Sequence, residues 1–289
     1  MDRLRTAVVT GGGRGIGRAI AQALARTGAA VAVVARTSSE LDETVRLVAA
    51  AGGSARAWVA DVTDDTYVRQ IVREIEQQIG PIDVLVNNAG VLGPIGPFAS
   101  GALDDWMSAL DVNLRGAVIC THAVASRMID RRRGHIINVA SGGGTVPITY
   151  FSSYVTGKTA VIRFTECVAN ELAPHRVFAF SMGPGTVRTA MSEHSLTSPE
   201  GQKWLPWFRR IFDEGLDLPP ERAAGLVAQL ASGGYDALSG CFMTPADDLD
   251  AMLRDAARIE REHLHSLRLQ TLSAPPANVE AIRRVAEGR

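Results

Sequence analysis

Tyr154 and Lys158 stand four residues apart in the stretch SSYVTGK, Ser152 to Lys158. On a helix this spacing puts both side chains on one face, one turn apart. A free phenol has a pKa of about 10 and ionises poorly near neutrality. An ammonium beside it favours the phenolate, so the pair could pass a proton to or from an oxygen. Two readings stand open: a proton-transfer site, or two side chains that merely share a helix surface.

The chemistry needs elements to hold it. Short runs rich in valine and isoleucine recur as TAVVT from residue 6, AAVAVVA from 29, RAWVADV from 56, IDVLVNNAG from 82, HIINVAS from 135 and RVFAFSM from 176. Helical periods separate them. Val68, Ile71, Val72, Ile75 and Ile79 share one face between a start signal at Asp64 and Asp65 and a stop at Gly80 and Pro81. Strands apolar on both faces, alternating with helices, predict a parallel sheet covered on both sides. The fold class is therefore α/β, a doubly wound parallel sheet of Rossmann type, in a single domain over residues 1–246. A helical C-terminal extension over 247–289 follows, charged and helical to about Leu272 before SAPPA breaks it. Residues 190–220 read as an irregular insertion with one short helix, carrying Met191, Leu196, Trp204, Leu205, Trp207, Phe208, Ile211 and Phe212. Such an apolar stretch is either a lid over a hydrophobic substrate or a surface packed on its own core or a neighbouring subunit. A helix from Arg222 to about Ala231 and a strand-like piece, GCFMTPA, come after it.

The first strand runs straight into TGGGRGIGRAIAQALA. Gly11, Gly12, Gly13, Gly15 and Gly17 allow a tight turn and close backbone approach, and helical period starts at Ile16. Free N–H groups at that helix start would suit a pyrophosphate. The spacing Gly11-x-x-x-Gly15-x-Gly17 departs from G-x-G-x-x-G, so taken alone it also fits a plain strand-to-helix connection. Nineteen residues beyond Gly17, at the end of the second strand, dinucleotide folds carry the residue that reads the adenosine ribose. An acid there suits a free 2′-hydroxyl and an arginine suits a 2′-phosphate. Arg36 holds that position after the neutral Ala35, and Arg14, Thr37, Ser38 and Ser39 could join it. NADP(H), rather than NAD(H), is the expected cofactor.

Bulk properties narrow the function further. The chain has 289 residues, with 30 lysines and arginines against 31 acids, so no field of one sign attracts nucleic acid or anionic lipid. No apolar run is long enough to span a bilayer and no apolar leader precedes the first strand, which makes a cytoplasmic location the expectation. Cys120, Cys167 and Cys241 are an odd number in apolar surroundings and read as reduced core thiols. The histidines show no ligand spacing, and His263 and His265 read as solvated side chains of a charged helix, so no metal is expected.

In order, Gly11-x-x-x-Gly15-x-Gly17, Asp61-Val62, NNAG at Asn87 to Gly90, Asn113, Ser141, Tyr154-x-x-x-Lys158 and PGTVRT at Pro184 to Thr189 resemble the short-chain dehydrogenase/reductase family, in its shorter single-domain branch. The resemblance covers roughly residues 4 to 245. It implies that Tyr154 gives a proton to a carbonyl oxygen in reduction and takes one in oxidation, with Lys158 also holding the nicotinamide ribose. Ser141 would hydrogen-bond the substrate oxygen, and Asn113 would anchor a water linking Lys158 to solvent. Asp61 and Val62 would meet the adenine, and Asn88, Ala89 and Gly90 would pass beneath the ribose. Pro184, Gly185, Val187 and Thr189 would face the nicotinamide carboxamide. Tyr150 lacks a lysine four residues on and reads as a pocket wall. The implied substrate is a small-molecule ketone or secondary alcohol, and the apolar 190–220 stretch read as a lid makes it hydrophobic and bulky or cyclic. An alternative is a 3-oxoacyl chain on a carrier protein, docked on Arg131, Arg132 and Arg133; a third is a non-catalytic nucleotide sensor. The implied assembly is a homodimer or homotetramer on helices over about 104–130 and 152–173. Family members close on a DGG-like turn, whereas this chain continues as SGCFMTPADDLDAMLRD. Residues 247–289 are therefore expected to cover the sheet edge or contact a partner subunit.

Overall fold

A computed structural model describes residues 6–269. Its seven strands are β1 (Thr6–Thr10), β2 (Ala30–Ala35), β3 (Ser54–Val59), β4 (Val84–Asn87), β5 (Gly134–Val139), β6 (Val177–Met182) and β7 (Phe242–Met243). They pair in the order β3-β2-β1-β4-β5-β6-β7, every pair parallel. The helices are α1 (Gly15–Arg26), α2 (Ser38–Ala50), α3 (Asp65–Gln78), α4 (Leu103–Leu110), α5 (Gly116–Arg131) and α6 (Ser152–Leu172), then α7 (Ala190–Thr197), α8 (Pro199–Trp204), α9 (Phe208–Asp213), α10 (Pro220–Leu230), α11 (Leu249–Arg254) and α12 (Ala256–Glu262). Side chains of β1 alternate between two cores: Ala7 and Val9 pack with Ile20 and Leu24 of α1 and Val227 of α10, while Val8 packs with Ile71 and Ile75 of α3 and Val124 of α5. Burial on both faces is why this strand reads as a continuous apolar run. The strand order switches direction at the sheet centre, where β1 meets β4, and such a switch point opens a crevice at the carboxyl ends of the strands.

Several local expectations need correction. β3 is an edge strand in which only Trp58 is fully buried, because no further strand covers its outer side. Residues 190–213 hold three helices rather than one. The chain marks them with caps instead of periodicity: Thr189 and Ser192 form a capping box, and Ser198 accepts from the Gly201 amide ahead of Pro199. Helices of six to eight residues are too short for a period to register. Cys120 and Cys241 are buried, and burial pushes both thiols up to about 12; Cys167 is exposed on α6. Apolar sequence neighbours on a helix face other directions, which is what misleads the reading of Cys167.

The charged terminal helix ends earlier than its sequence suggests. α11 starts at the Asp248 cap and α12 stops at Glu262, where His263 turns left-handed at φ 54°, as does His265. Neither histidine is helical. The Phe242 amide donates to the His265 carbonyl (2.7 Å), and the Leu267 amide donates to Glu166 Oε1 (2.7 Å). The Ser181 and Gly183 amides donate to the carbonyls of Cys241 and Met243, so Phe242 presents its groups to the opposite side, where residue 265 covers the sheet edge. The part of the extension beyond 269 lies outside the described residues.

Candidate active site

β5 ends at Val139, and two residues on, Ser141 caps a short turn over Gly142–Gly144 by accepting from the Gly143 amide at 3.0 Å. α6 then presents Tyr154 in its first turn and Lys158 one turn later. Lys158 is only 5% exposed; its ammonium donates to the Val139 carbonyl at 2.8 Å and lies 5.8 Å from the centroid of the Tyr154 ring. Burial lowers the Lys158 pKa to about 8. The Tyr154 pKa is raised by burial, opposed by a hydrogen bond with Ser141 that favours the phenolate. The sequence expectation that lysine makes the phenol more acidic is thus corrected for this structure. Nζ bonds to Val139 rather than to the phenol, and desolvation outweighs what remains.

Asn113 sits 2% exposed in a π-helical turn, Asp111–Arg115, between α4 and α5. Its Nδ2 donates to the Val91 carbonyl (2.8 Å) and its Oδ1 accepts from the Val91 amide (3.0 Å). Both side-chain groups are thereby spent on the backbone after β4. A Cβ on Gly90 would lie 2.8 Å from Asn113 Oδ1 and 3.4 Å from Lys158 Nζ, so these three residues converge on one point.

Next to that point lies a cavity of about 470 Å³. Its wall includes Gly11, Gly13, Arg14, Gly15, Ile16, Gly17, Arg36, Thr37, Asp61, Val62, Asn88, Ala89, Gly90 and Thr189, fourteen of the expected cofactor residues. The shape and chemistry fit a dinucleotide. A Cβ on Gly17 would collide with the Gly11 carbonyl oxygen, so the turn closes only with glycine there. The α1 cap residue, Arg14, makes no side-chain cap bond, which leaves the first-turn amides to an anion. Asn88 Nδ2 braces the turn by donating to the Thr10 (3.0 Å) and Gly11 (3.2 Å) carbonyls. Arg36, its side chain 68% exposed, sits at the far rim, 3.9 Å from Asp61. The Asp61 carboxyl is held below its ordinary pKa, chiefly by the Thr63 amide, with Arg36 a smaller cause.

Gly12, Tyr154, Lys158, Pro184, Gly185 and Val187 are not on the cavity wall. Gly12 backs onto Val33, Gly185 onto Leu218, and the Val187 carbonyl accepts from Ser192 Oγ at 2.9 Å. Thr189 spends its hydroxyl oxygen on the Ser192 amide (3.3 Å) as the α7 cap. The wall also holds Glu40, Val91, Val112, Arg188 and Ala190, which the sequence reading did not single out, and Met191, which it placed in the apolar 190–220 insertion. Arg188 had a signal, since it lies inside PGTVRT. Glu40 had none: it reaches Arg14 (3.2 Å) only because α2 folds back beside the glycine turn.

On the other side of Tyr154 lies an apolar cluster. Phe151 stacks on Tyr154 (centroids 4.7 Å apart), and Ile95, Leu205, Trp204 and Phe208 pack around them. Tyr150, left-handed at φ 65°, lies 4.6 Å from Trp204, which makes it part of this wall. The arginines that carrier docking would use lie elsewhere. Arg131 pairs with Glu76, Arg133 with Asp83, and Arg132 donates to the Pro174 carbonyl. All three precede Gly134 at the start of β5, whereas Ser141 follows its end, about 16 Å of strand away.

The fold and this constellation define a nucleotide-dependent oxidoreductase, and the known proteins it is similar to agree. The sequence model of the short chain dehydrogenase family matches residues 5–200. A short chain dehydrogenase of Pseudocercospora fijiensis is 31% identical over 93% of this chain and 90% of its own length. A 3-oxoacyl-[acyl-carrier-protein] reductase of Synechocystis is 37% identical over 79% of this chain and 89% of its own. A crystal structure of a variant actinorhodin polyketide ketoreductase with NADPH superposes with a TM-score of 0.76 at 30% identity, covering 83% of this chain and 95% of that one. The chain belongs to the short-chain dehydrogenase/reductase family, and its cofactor is of the NAD(P) type. Among the described residues no helix is long and apolar enough to cross a membrane.

Proposed function

We propose that this protein is an NADP(H)-dependent oxidoreductase that interconverts a ketone and a secondary alcohol on a hydrophobic small molecule, with Tyr154 as acid and base. One observation carries the reading: Ser141, Tyr154 and Lys158 meet between a glycine-turned cavity and an aromatic cluster. Residues 11 and 13–17, Arg36, Thr37, Asp61, Val62, 88–90 and Thr189 would hold the cofactor, which would supply or accept the hydride at the carbonyl carbon. Tyr154 delivers its phenolic proton to the oxygen in reduction and removes it in oxidation. Ser141 has one lone pair engaged by the Gly143 amide, so its O–H is available to Tyr154 or to the substrate oxygen. Lys158, titrating near 8, can return a proton to Tyr154 at physiological pH. Asn113 holds the Val91 backbone beside it.

Preference for NADP(H) is supported by Arg36 and Arg14 at the cavity rim with no acid at position 35 or 36. Against it stand Asp61 and Glu40, which already neutralise part of that charge. A bound 2′-phosphate would compete for both arginines. The wall of Tyr150, Phe151, Trp204, Leu205 and Phe208 supports a bulky apolar substrate. Reduction of carrier-bound 3-oxoacyl chains is the second reading, favoured by the Synechocystis relative; a docking patch at Arg131 to Arg133 does not serve it. Self-association as a homodimer or homotetramer completes the proposal, with Phe98, Leu103 and Met107 exposed on and before α4 as apolar surface for it.

The test is Tyr154→Phe. Ketone-dependent NADPH oxidation should fall by about 10²- to 10⁴-fold while NADPH binding by fluorescence is unchanged. Retained turnover would remove Tyr154 from the chemistry, and activity only on carrier-bound substrates would favour the second reading.

A further inference from the structure

Three of the site residues share one apolar backing, and a residue of the terminal segment sits in it. Ala140, Val161 and Ile162 form a small buried cluster, against which Leu114, Phe242 and Leu267 pack. The cluster adjoins the chemistry in sequence. Ala140 precedes Ser141, Leu114 follows Asn113, and Val161 and Ile162 lie three and four residues beyond Lys158, on its face of α6. Phe242 reaches the serine turn itself: a Cβ on Gly183 would stand 2.9 Å from the Phe242 Cζ, 3.0 Å from the Gly142 nitrogen and 3.4 Å from the Ser141 carbonyl carbon. None of the six cluster residues lies on the wall of the cofactor cavity.

Leu267 arrives here from the far end of the chain and is tied in place on two elements. Glu166 Oε1, largely buried on α6, accepts from the Leu267 amide (2.7 Å), Arg163 donates to the Leu267 carbonyl (2.5 Å), and Arg268 lies 3.5 Å from Glu166 Oε2. On β7 the His265 carbonyl accepts from the Phe242 amide (2.7 Å), and His265 Nδ1 lies 3.2 Å from the Phe242 carbonyl. Covering the edge of β7 needs only the bonds to Phe242. The clasp on α6 carries the chain past that edge and seats Leu267 behind the site.

We propose that Leu267 is a positioning residue for the reaction: with Phe242 it backs the cluster of Ala140, Val161 and Ile162 and so holds Ser141 and α6 at the separation that lets Tyr154 pass its proton. This rests on the roles given to Ser141, Tyr154 and Lys158 above. Protein interiors are close-packed, so a void behind Ala140 draws its neighbours inward. Those neighbours are the main chain of Ser141 and the helix that carries Tyr154 and Lys158. A displacement of about 1 Å at reacting groups costs on the order of a hundred-fold in rate. The cofactor wall is built from other residues, so the terminal segment acts on turnover and leaves nucleotide binding alone.

Leu267→Ala tests this. The kcat for ketone reduction should fall by about ten-fold while the Kd for NADPH stays within about two-fold. With NADPH deuterated at the transferred position, the isotope effect on kcat should rise, because a misaligned site slows chemistry relative to product release. A segment that merely stabilises the fold would lower the melting temperature and leave both kcat per folded molecule and the isotope effect where they were. Leu267→Met keeps the volume and should restore kcat to within about two-fold. Leu269→Ala, in the same segment but 89% exposed and outside the cluster, should turn over as the wild type does. If Leu267→Ala does not fold, Phe242→Leu removes a ring from the same backing and should show the same split. Unchanged kcat in the variant that folds, equal losses in kcat and NADPH affinity, or no rescue by methionine would each overturn the inference. Tyr154→Phe, assayed alongside, isolates the reading beneath it: turnover retained there would remove the roles assigned to the site, and the inference with them.

Discussion

Lys158→Met replaces a buried ammonium by an uncharged, unbranched side chain. Folding carries Lys158 from water to a position 5% exposed, and its pKa drops from 10.5 to about 8 through desolvation. That drop corresponds to about 3 kcal/mol by which burial penalises the charged form. The folded chain releases the proton near 8, whereas the unfolded chain keeps it to 10.5. Between these values the unfolded state binds more protons, so stability rises with pH. From about pH 7 to about pH 9.5 the wild-type protein should gain about 2 kcal/mol relative to the variant. Tyr154 acts with the opposite sign, since its pKa is raised, but only once the unfolded phenol ionises near 10. Near pH 7 the variant escapes the desolvation cost and loses the bond to the Val139 carbonyl, worth about 1–3 kcal/mol when left unmade. It should therefore be about as stable as the wild type or slightly more so, and inactive. Urea unfolding of both proteins at a series of pH values measures the difference directly. A flat difference across that range would show that Lys158 titrates as an ordinary surface lysine, and its proposed part in proton return near neutrality would go with it.

Other substitutions test the cavity and the wall. Arg36→Asp should move cofactor preference from NADPH toward NADH, read as the ratio of kcat/KM with the two; equal wild-type affinities would remove the NADP(H) assignment. Gly17→Ala should abolish dinucleotide binding, because its Cβ meets the Gly11 carbonyl oxygen, a backbone atom that has no room to give. Calorimetric titration checks it, and retained affinity would mean that the turn is not the phosphate cradle. Trp204→Ala removes the ring against Tyr150 and should raise KM for bulky ketones by about ten-fold while small ketones are little affected. An equal effect on both would detach this wall from specificity.

Much of this protein can be read along the chain. Alternating apolar runs and helical periods carry the doubly wound sheet, because burial on both faces leaves a direct mark on composition. The order of the glycine turn, NNAG, Ser141 and Tyr154-x-x-x-Lys158 carries the family, because each piece is local: a turn, a strand end, one helical step. What the tertiary structure alone decided are relations between distant residues and the solvent left around them. Whether Lys158 lowers the phenol's pKa depended on where Nζ goes, and it goes to Val139, nineteen residues away on another element. Glu40 beside Arg14, and Asn113 spent on Val91, arise from packing at separations that leave no trace in spacing. Arg131 to Arg133 look like one patch in sequence, yet folding pairs Arg131 and Arg133 with separate acids at the far end of the sheet. Charge and residue type are properties of the chain; desolvation and direction belong to the packed fold, and they set the pKa values and the phosphate contacts on which the proposed activity depends.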